Sequence, residues 1–322
     1  MAPADDTSER GQILIIVGLL VAVMLVALAL VLNSAIFAEN LSTRETADSE
    51  EPSAYAVDAE STVADVYDRT NANDTRKAVY ANTSFNESFE TWADSRSDTA
   101  AGNGAVFEAD WTTYVGWRLE QTENRSFTPA DNDSATDWTL ATDAENVAAF
   151  ELEVTKDDLR DSADEDAFNL FVTDGTDNWE LFVYRTGGKM VVTNDPATSD
   201  ECTSGSSRAE INVRAGEFNG SCDELDLPSA LDDDLQIKFR NVQATDGTER
   251  VNGTYTLVVN GSDAIARDAG GHPERFNASG KMPPTATAVV YAVRYDTRYQ
   301  RKEVVHDVEG WHSPRAETYQ PS

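Results

Sequence analysis

The run Ile13–Leu32, ILIIVGLLVAVMLVALALVL, is twenty residues without a charge or a side-chain amide. No other segment constrains the chain as strongly. As an α-helix rising about 1.5 Å per residue it is about 30 Å long, the hydrocarbon thickness of a bilayer. A helix on the surface of a globular core keeps one polar face, and this segment has none. The expectation is a transmembrane helix over residues 13–32. The run exceeds the h-region of a cleaved secretory peptide, about 7–15 residues. The residues after it, Asn33-Ser34-Ala35-Ile36-Phe37-Ala38, are a poor cleavage site. The segment is therefore expected to stay with the protein.

The rest of the chain is acidic, with 58 Asp and Glu against 25 Lys and Arg and a net charge of -33. Such a charge repels nucleic acid and anionic membrane surfaces, so neither is an expected partner. Strong acidity with few aromatics signals disorder. Here 6 Trp, 10 Tyr and 12 Phe recur along the chain and argue for a folded core. The balance suits molar salt, where the Debye length falls to about 3 Å and self-repulsion is screened. The composition is that of a halophilic protein, which concerns habitat rather than activity.

Sidedness is read from two features, because the leader Met1–Gln12, with Asp5, Asp6, Glu9 and Arg10, barely biases the count of positive residues. First, ten N-x-[ST] sequons begin at Asn40, Asn73, Asn82, Asn86, Asn124, Asn132, Asn219, Asn252, Asn260 and Asn277. Chance placement at this composition gives roughly 3, and a sequon is the acceptor motif for N-glycosylation. Asn219-Gly220, Asn252-Gly253 and Asn260-Gly261 are also hairpin-turn dipeptides. Second, the only cysteines, Cys202 and Cys222, both lie beyond the apolar run. Outside the cell they are expected to form one disulfide, contributing about 3 kcal/mol by loop entropy. The expected location is the cell membrane, single-pass, with the C-terminal part extracellular.

Ser8-Glu9-Arg10-Gly11-Gln12-Ile13-Leu14 joins the leader to the apolar run. A short charged leader, then Arg-Gly-Gln, then a wholly apolar helix, resembles the class III signal peptides of archaeal type IV pilin-like proteins and archaellins. The resemblance covers about the first 35 residues. It implies processing at Arg10, Gly11 and Gln12, a prepilin peptidase cutting after Gly11 to leave Gln12 as the mature N-terminus. It also implies other pilin-like subunits as partners, with the helix packed into a filament core. An apolar helix is equally soluble in lipid and in a bundle of its copies. Bacterial pilins carry a Glu at the fifth mature position; this chain has Ile16 there, and archaellins lack the Glu as well. An uncut signal anchor is the alternative.

The expected fold class is α+β: the transmembrane helix, a helical neck and an antiparallel β-sandwich head. Residues 33–136 read mostly helical, with Val63, Val66 and Tyr67 at i, i+3, i+4 and Phe85, Phe89 and Trp92 at i, i+4, i+7. Trp111, Tyr114, Val115 and Trp117 begin something packed, helix or strand. Residues 137–322 change to a period of two: Phe150, Leu152 and Val154 alternate with polar residues, as do Leu235, Ile237 and Phe239. Phe168–Thr173, Trp179–Arg185, Lys189–Thr193, Arg208–Val213, Thr254–Asn260 and Thr287–Asp296 read as further strands, spaced as in a sandwich.

No G-x-S-x-G elbow, P-loop, G-x-G-x-x-G or H-E-x-x-H occurs, so no catalytic, cofactor-binding or metal residue is assigned and no small-molecule ligand is named. His272, His306 and His312 are the whole histidine supply; His306 and His312, with Asp307 and Glu309 between them, read as surface polar residues rather than a metal site. Asp131-Asn132-Asp133 and Asp232-Asp233-Asp234 are acidic turns without the D-x-D-x-D-G order of a Ca²⁺ loop. The expectation is a non-enzymatic surface protein, a pilin-like or pseudopilin-like component of a filament or envelope assembly. The alternatives are a membrane-anchored binding protein or adhesin with a glycan-binding sandwich, and an anchored hydrolase using two carboxylates.

Overall fold

The computed structural model describes residues 19, 21–30, 52–73, 75–161, 166–196, 201–219, 234–243, 250–261, 263–267, 273–278, 281–302 and 304–313. Within them, thirteen strands form two antiparallel sheets. The seven-stranded sheet runs β13(Val304–His312), β12(Thr285–Arg301), β1(Val106–Ser126), β11(Asn252–Asn260), β3(Asn146–Thr155), β8(Arg208–Asn212), β9(Glu217–Phe218). The six-stranded sheet runs β2(Trp138–Ala144), β10(Leu235–Arg240), β4(Phe168–Thr173), β5(Asn178–Thr186), β6(Lys189–Thr193), β7(Cys202–Ser204). They pack face to face because alternate residues of each are apolar. Trp117, Leu119, Phe150, Leu152, Tyr255 and Leu257 of the larger sheet meet Leu170, Val172, Trp179, Leu181, Ile237 and Phe239 of the smaller.

An aromatic cluster forms the centre of this core. Phe127 stacks on Phe239 at 5.2 Å and meets Phe168 at 5.6 Å, with Tyr255 edge-on to both Phe127 and Phe239. Such pairs add about 0.5–1.5 kcal/mol each beyond area burial. That gain offsets the Tyr255 hydroxyl, buried without a hydrogen-bond partner, which costs about 1–3 kcal/mol. Trp138 and Trp179 are core residues too, and the Trp138 indole donates to the Phe127 carbonyl at 2.7 Å.

Two helices, α1 (residues 52–71) and α2 (Ala78–Gly102), are part of the head rather than a separate neck. β1 and β12 are 21 and 17 residues long, too long for the smaller sheet to cover. Its partner face is shared: Trp117, Leu119, Ala286 and Ala288 face the smaller sheet, while Phe107, Trp111, Val293, Tyr295 and Tyr299 take the helices. Helical spacing supplies the matching stripes, Ala59, Val63, Val66 and Tyr67 on α1 and Ala81, Phe85 and Phe89 on α2. The helices are tied together where Asp58 accepts from the Trp92 indole at 3.1 Å and pairs with Arg96 at 2.6 Å. α2 ends at Gly102, its last carbonyls taken by the N–H groups of Asn103, Gly104 and Ala105, with Gly104 at φ 71° where a side chain would be strained.

The expected boundary at residue 136 is thus displaced. Helix ends at Gly102 and the sandwich begins at Val106, because Trp111 and Trp117 belong to one long strand.

β13 stops opposite Val293, leaving the next turn of the β12 edge without a strand. Asn71 at the end of α1 takes that place: its Nδ2 donates to the Val290 carbonyl at 2.9 Å and its Oδ1 accepts the Val290 N–H at 2.8 Å. The Thr75 carbonyl then accepts the Ala288 N–H at 2.7 Å. The exposed sheet edge is covered by side-chain and loop groups instead of a further strand.

Candidate functional site

Residues 21–30 form a helix whose apolar side chains face outward in every direction. Val23, Met24, Leu25 and Val26 stand 59, 68, 61 and 61 % exposed. Four consecutive residues at 100° intervals sample the whole circumference, so no side of this helix is covered by the head. Each such side chain forfeits about 1.5–3 kcal/mol in water relative to an apolar surrounding. Among the described residues no helix is long and apolar enough to cross a membrane. The expected span 13–32 extends past the described helix at both ends, and Arg10, Gly11 and Gln12 lie outside the described residues.

A second feature lies on the outer face of the larger sheet. A groove of about 510 Å³ is lined by Thr122, Glu151, Glu153, Glu210, Asn212, Glu217, Asn219, Thr254 and Thr256. The period of two puts these residues outward while Leu152, Ile211 and Tyr255 point into the core. Register makes the pattern sharper: Glu153 stands directly opposite Glu210, and Glu151 opposite Asn212. Directly opposed like charges are unfavourable, and Arg208 relieves them by pairing with Glu153 at 2.8 Å. Asn219, at φ 48°, closes the far end, its Oδ1 accepting the Glu210 N–H and its own N–H donating to the Glu210 carbonyl. A trough of carboxylates, hydroxyls and amides can accept and donate hydrogen bonds to a hydroxyl-rich ligand. On the same face Tyr114 stacks on Trp311 at 5.6 Å, beside buried Tyr291. The alternation of Glu151 and Glu153 with apolar residues is legible in the sequence. Their meeting with Glu210 depends on the β3–β8 register and is not.

The remaining sequence candidates are scattered. His306 and His312 share one strand, β13, six residues apart on one face, while Asp307 and Glu309 point to the other. His312 packs edge-on against Tyr67 at 4.7 Å, and burial lowers its pKa, opposed in part by Asp68 and Glu60. His272 lies outside the described residues. Among the described residues no group of three His, Cys, Asp or Glu is arranged to hold a metal ion. Asp131-Asn132-Asp133 is an exposed turn, and of the second acidic run only Asp234 is described. Cys202 is buried, and Cys222 lies outside the described residues.

The sequons divide by environment. Asn73, Asn124, Asn132 and Asn219 are exposed; Asn82, Asn86, Asn252 and Asn277 are half-buried; Asn40 lies outside the described residues. Asn260 is 2 % exposed and its Nδ2 donates to Glu145 at 2.8 Å, because it ends a strand whose neighbours occupy both sides. No family model matches the chain, and no curated protein or solved structure matches it significantly.

Proposed function

We propose that this is a non-enzymatic cell-surface protein, a pilin-like or pseudopilin-like component of a filament or envelope assembly. In this reading the chain is cut between Gly11 and Gln12, residues 13–32 hold it in the membrane before assembly, and everything beyond Asn33 is extracellular. One observation carries the reading: a helix over residues 21–30, exposed and apolar around its whole circumference, within the apolar run that follows Arg10-Gly11-Gln12 in the sequence. Only lipid or a bundle of like helices can solvate such a segment. The charge of -33, the ten sequons and the two cysteines beyond the helix suit an extracellular head in salt.

Mass spectrometry of the mature N-terminus, together with sheared surface filaments, tests the proposal. A chain beginning at Gln12 and recovered in filaments supports it. A chain beginning at residue 1 or 2 and confined to the membrane fraction overturns it. Bulky substitutions at Gly18 or Ala22, the small-xxx-small pair of the helix, should impair assembly and leave insertion intact.

A second reading, an anchored protein that binds glycan, is favoured by the groove over Glu151 and Glu210 and by the Tyr114–Trp311 pair on the same face. An uncut N-terminus combined with oligosaccharide binding that Glu210→Ala abolishes would put this reading ahead.

A further inference from the structure

We propose that Asn132, in the loop between β1 and β2, is an N-glycosylation acceptor of the folded head, and that the helical sequons at Asn82 and Asn86 are not. The proposal rests on the reading that the head is extracellular. The sugar donor is a lipid-linked oligosaccharyl phosphate. Transfer forms a bond between Asn132 Nδ2 and the anomeric carbon of the first sugar and breaks the bond from that carbon to the phosphate oxygen. The phosphate leaves on its lipid carrier, and Nδ2 gives up one proton to a base of the transferase.

The reaction needs the amide nitrogen and the hydroxyl two residues on to be accessible together, on backbone that can enter an enzyme cleft. Five sequons have all three residues described: Asn82, Asn86, Asn124, Asn132 and Asn252. Only at Asn132 are both required groups exposed and the backbone free of helix and strand. Its Oδ1 accepts the Ser134 N–H at 3.1 Å, which fixes the amide plane, and its Nδ2 carries no hydrogen bond.

Each of the others fails on a specific contact. Asn86 Nδ2 donates to Asn82 Oδ1 at 3.1 Å, and Asn86 Oδ1 accepts the Trp111 indole N–H at 2.9 Å, so both amides sit half-buried between α2 and β1. On a helix, moreover, the residue two positions on points about 200° away, so amide and hydroxyl cannot face one enzyme. Asn124 is exposed, but the Ser126 hydroxyl of its sequon is buried. Asn252 lies in β11, laddered to β1.

Glycopeptide mapping of the protein from its native host tests the assignment, with Asn132→Gln as the variant and protease treatment of intact cells as the control for sidedness. The expected result is sugar on the peptide containing Asn132 and none on the peptide containing Asn82 and Asn86. Asn132→Gln should lose one glycan's mass while circular dichroism in molar salt stays as in the parent. A head digested from outside with Asn132 bare, or with sugar at Asn82 or Asn86, overturns the assignment while leaving the extracellular reading standing. A head protected from external protease and bare of sugar removes that reading and the assignment with it.

Discussion

Asn71→Ala removes the side chain that stands in for a missing strand at the β12 edge. Both of its hydrogen bonds go to Val290, at 2.9 and 2.8 Å, and Val290 is fully buried between the helices and β1. The backbone N–H and C=O of Val290 then lose their partners together. A buried unsatisfied group costs about 1–3 kcal/mol. Asn71 itself is only half-buried, so water reaches part of the vacated site, and the expected loss is about 2–4 kcal/mol for the two groups. For a domain of this size that is a fall in Tm of roughly 4–16 °C. Asn71→Asp keeps an acceptor for the Val290 N–H and loses the donor, and should fall between wild type and the alanine variant. Urea denaturation of the full chain in detergent and molar salt measures it, with Thr83→Ala, an exposed change on α2, as control. Stability of Asn71→Ala within about 0.5 kcal/mol of wild type, the range of an ordinary surface substitution, would refute the claim that this amide closes the sheet edge.

Four further outcomes are expected. Gly310→Ala should destabilise the β12–β13 ribbon by about 1–3 kcal/mol, because a Cβ there would collide with the Tyr295 ring that lies across it; hydrogen exchange of β13 amides reports the loosening. His312 has a folded pKa lowered by burial, so the unfolded chain binds the proton more readily; its stabilising contribution is complete above about pH 6.5, is lost as pH falls through the folded value, and should be absent from the pH profile of His312→Gln. With a net charge of -33 the head should lose structure as salt falls from molar to tens of millimolar, and an unchanged circular dichroism spectrum over that range would count against salt dependence. Non-reducing peptide maps should link the Cys202 and Cys222 peptides, and reduction should cost about 3 kcal/mol.

The strands that declare themselves in the sequence are those whose two ends are punctuated. β4 and β6 fall at Phe168–Thr173 and Lys189–Thr193, as the apolar runs indicate, because Gly175, Gly187 and Gly188 adopt positive φ in the intervening turns. β1 resists the same reading for a physical reason. Its inner face meets helices over Phe107–Trp111 and a sheet over Trp117–Leu119, and its outer face also carries an apolar residue, Tyr114, so polar and apolar positions do not alternate cleanly. A bulge in β12 opposite Tyr114 and Val115 shifts the phase within the expected strand Thr287–Asp296, and the structure carries β12 on to Arg301, with Thr297 and Tyr299 continuing its buried face. No strand is expected from the sequence over β13, where Asp307 and Glu309 stand out as surface polar residues; their alternation with Val308 and Gly310 marks a half-covered edge strand. The groove is illegible for another reason. Glu153 and Glu210 are 57 positions apart in the chain, and only strand register makes them neighbours.

The way α1 is fixed bears on what the head is for. Tyr55 near one end packs between Phe107 and Tyr299, with ring centroids 5.3 and 4.9 Å away, and Asn71 at the other end is bonded to Val290. The sixteen residue steps from one to the other are about 24 Å of helix, and as the chain runs from 55 to 71 its contacts on β12 run back from 299 to 290. The helix therefore lies antiparallel along the strand, held at both ends and along its length by Val63, Val66 and Tyr67. A pull on the chain at residue 52 along the helix axis would load these contacts in shear and all at once instead of peeling them in turn. The load would pass from β12 into β1, its partner over fifteen matched positions, and so into the sandwich core. A receptor that merely displays a binding face needs only a linker at this point. A subunit that must transmit tension between a packed helix and a head needs a joint of this kind, and the α1–β12 contact supports the assembly reading on mechanical grounds.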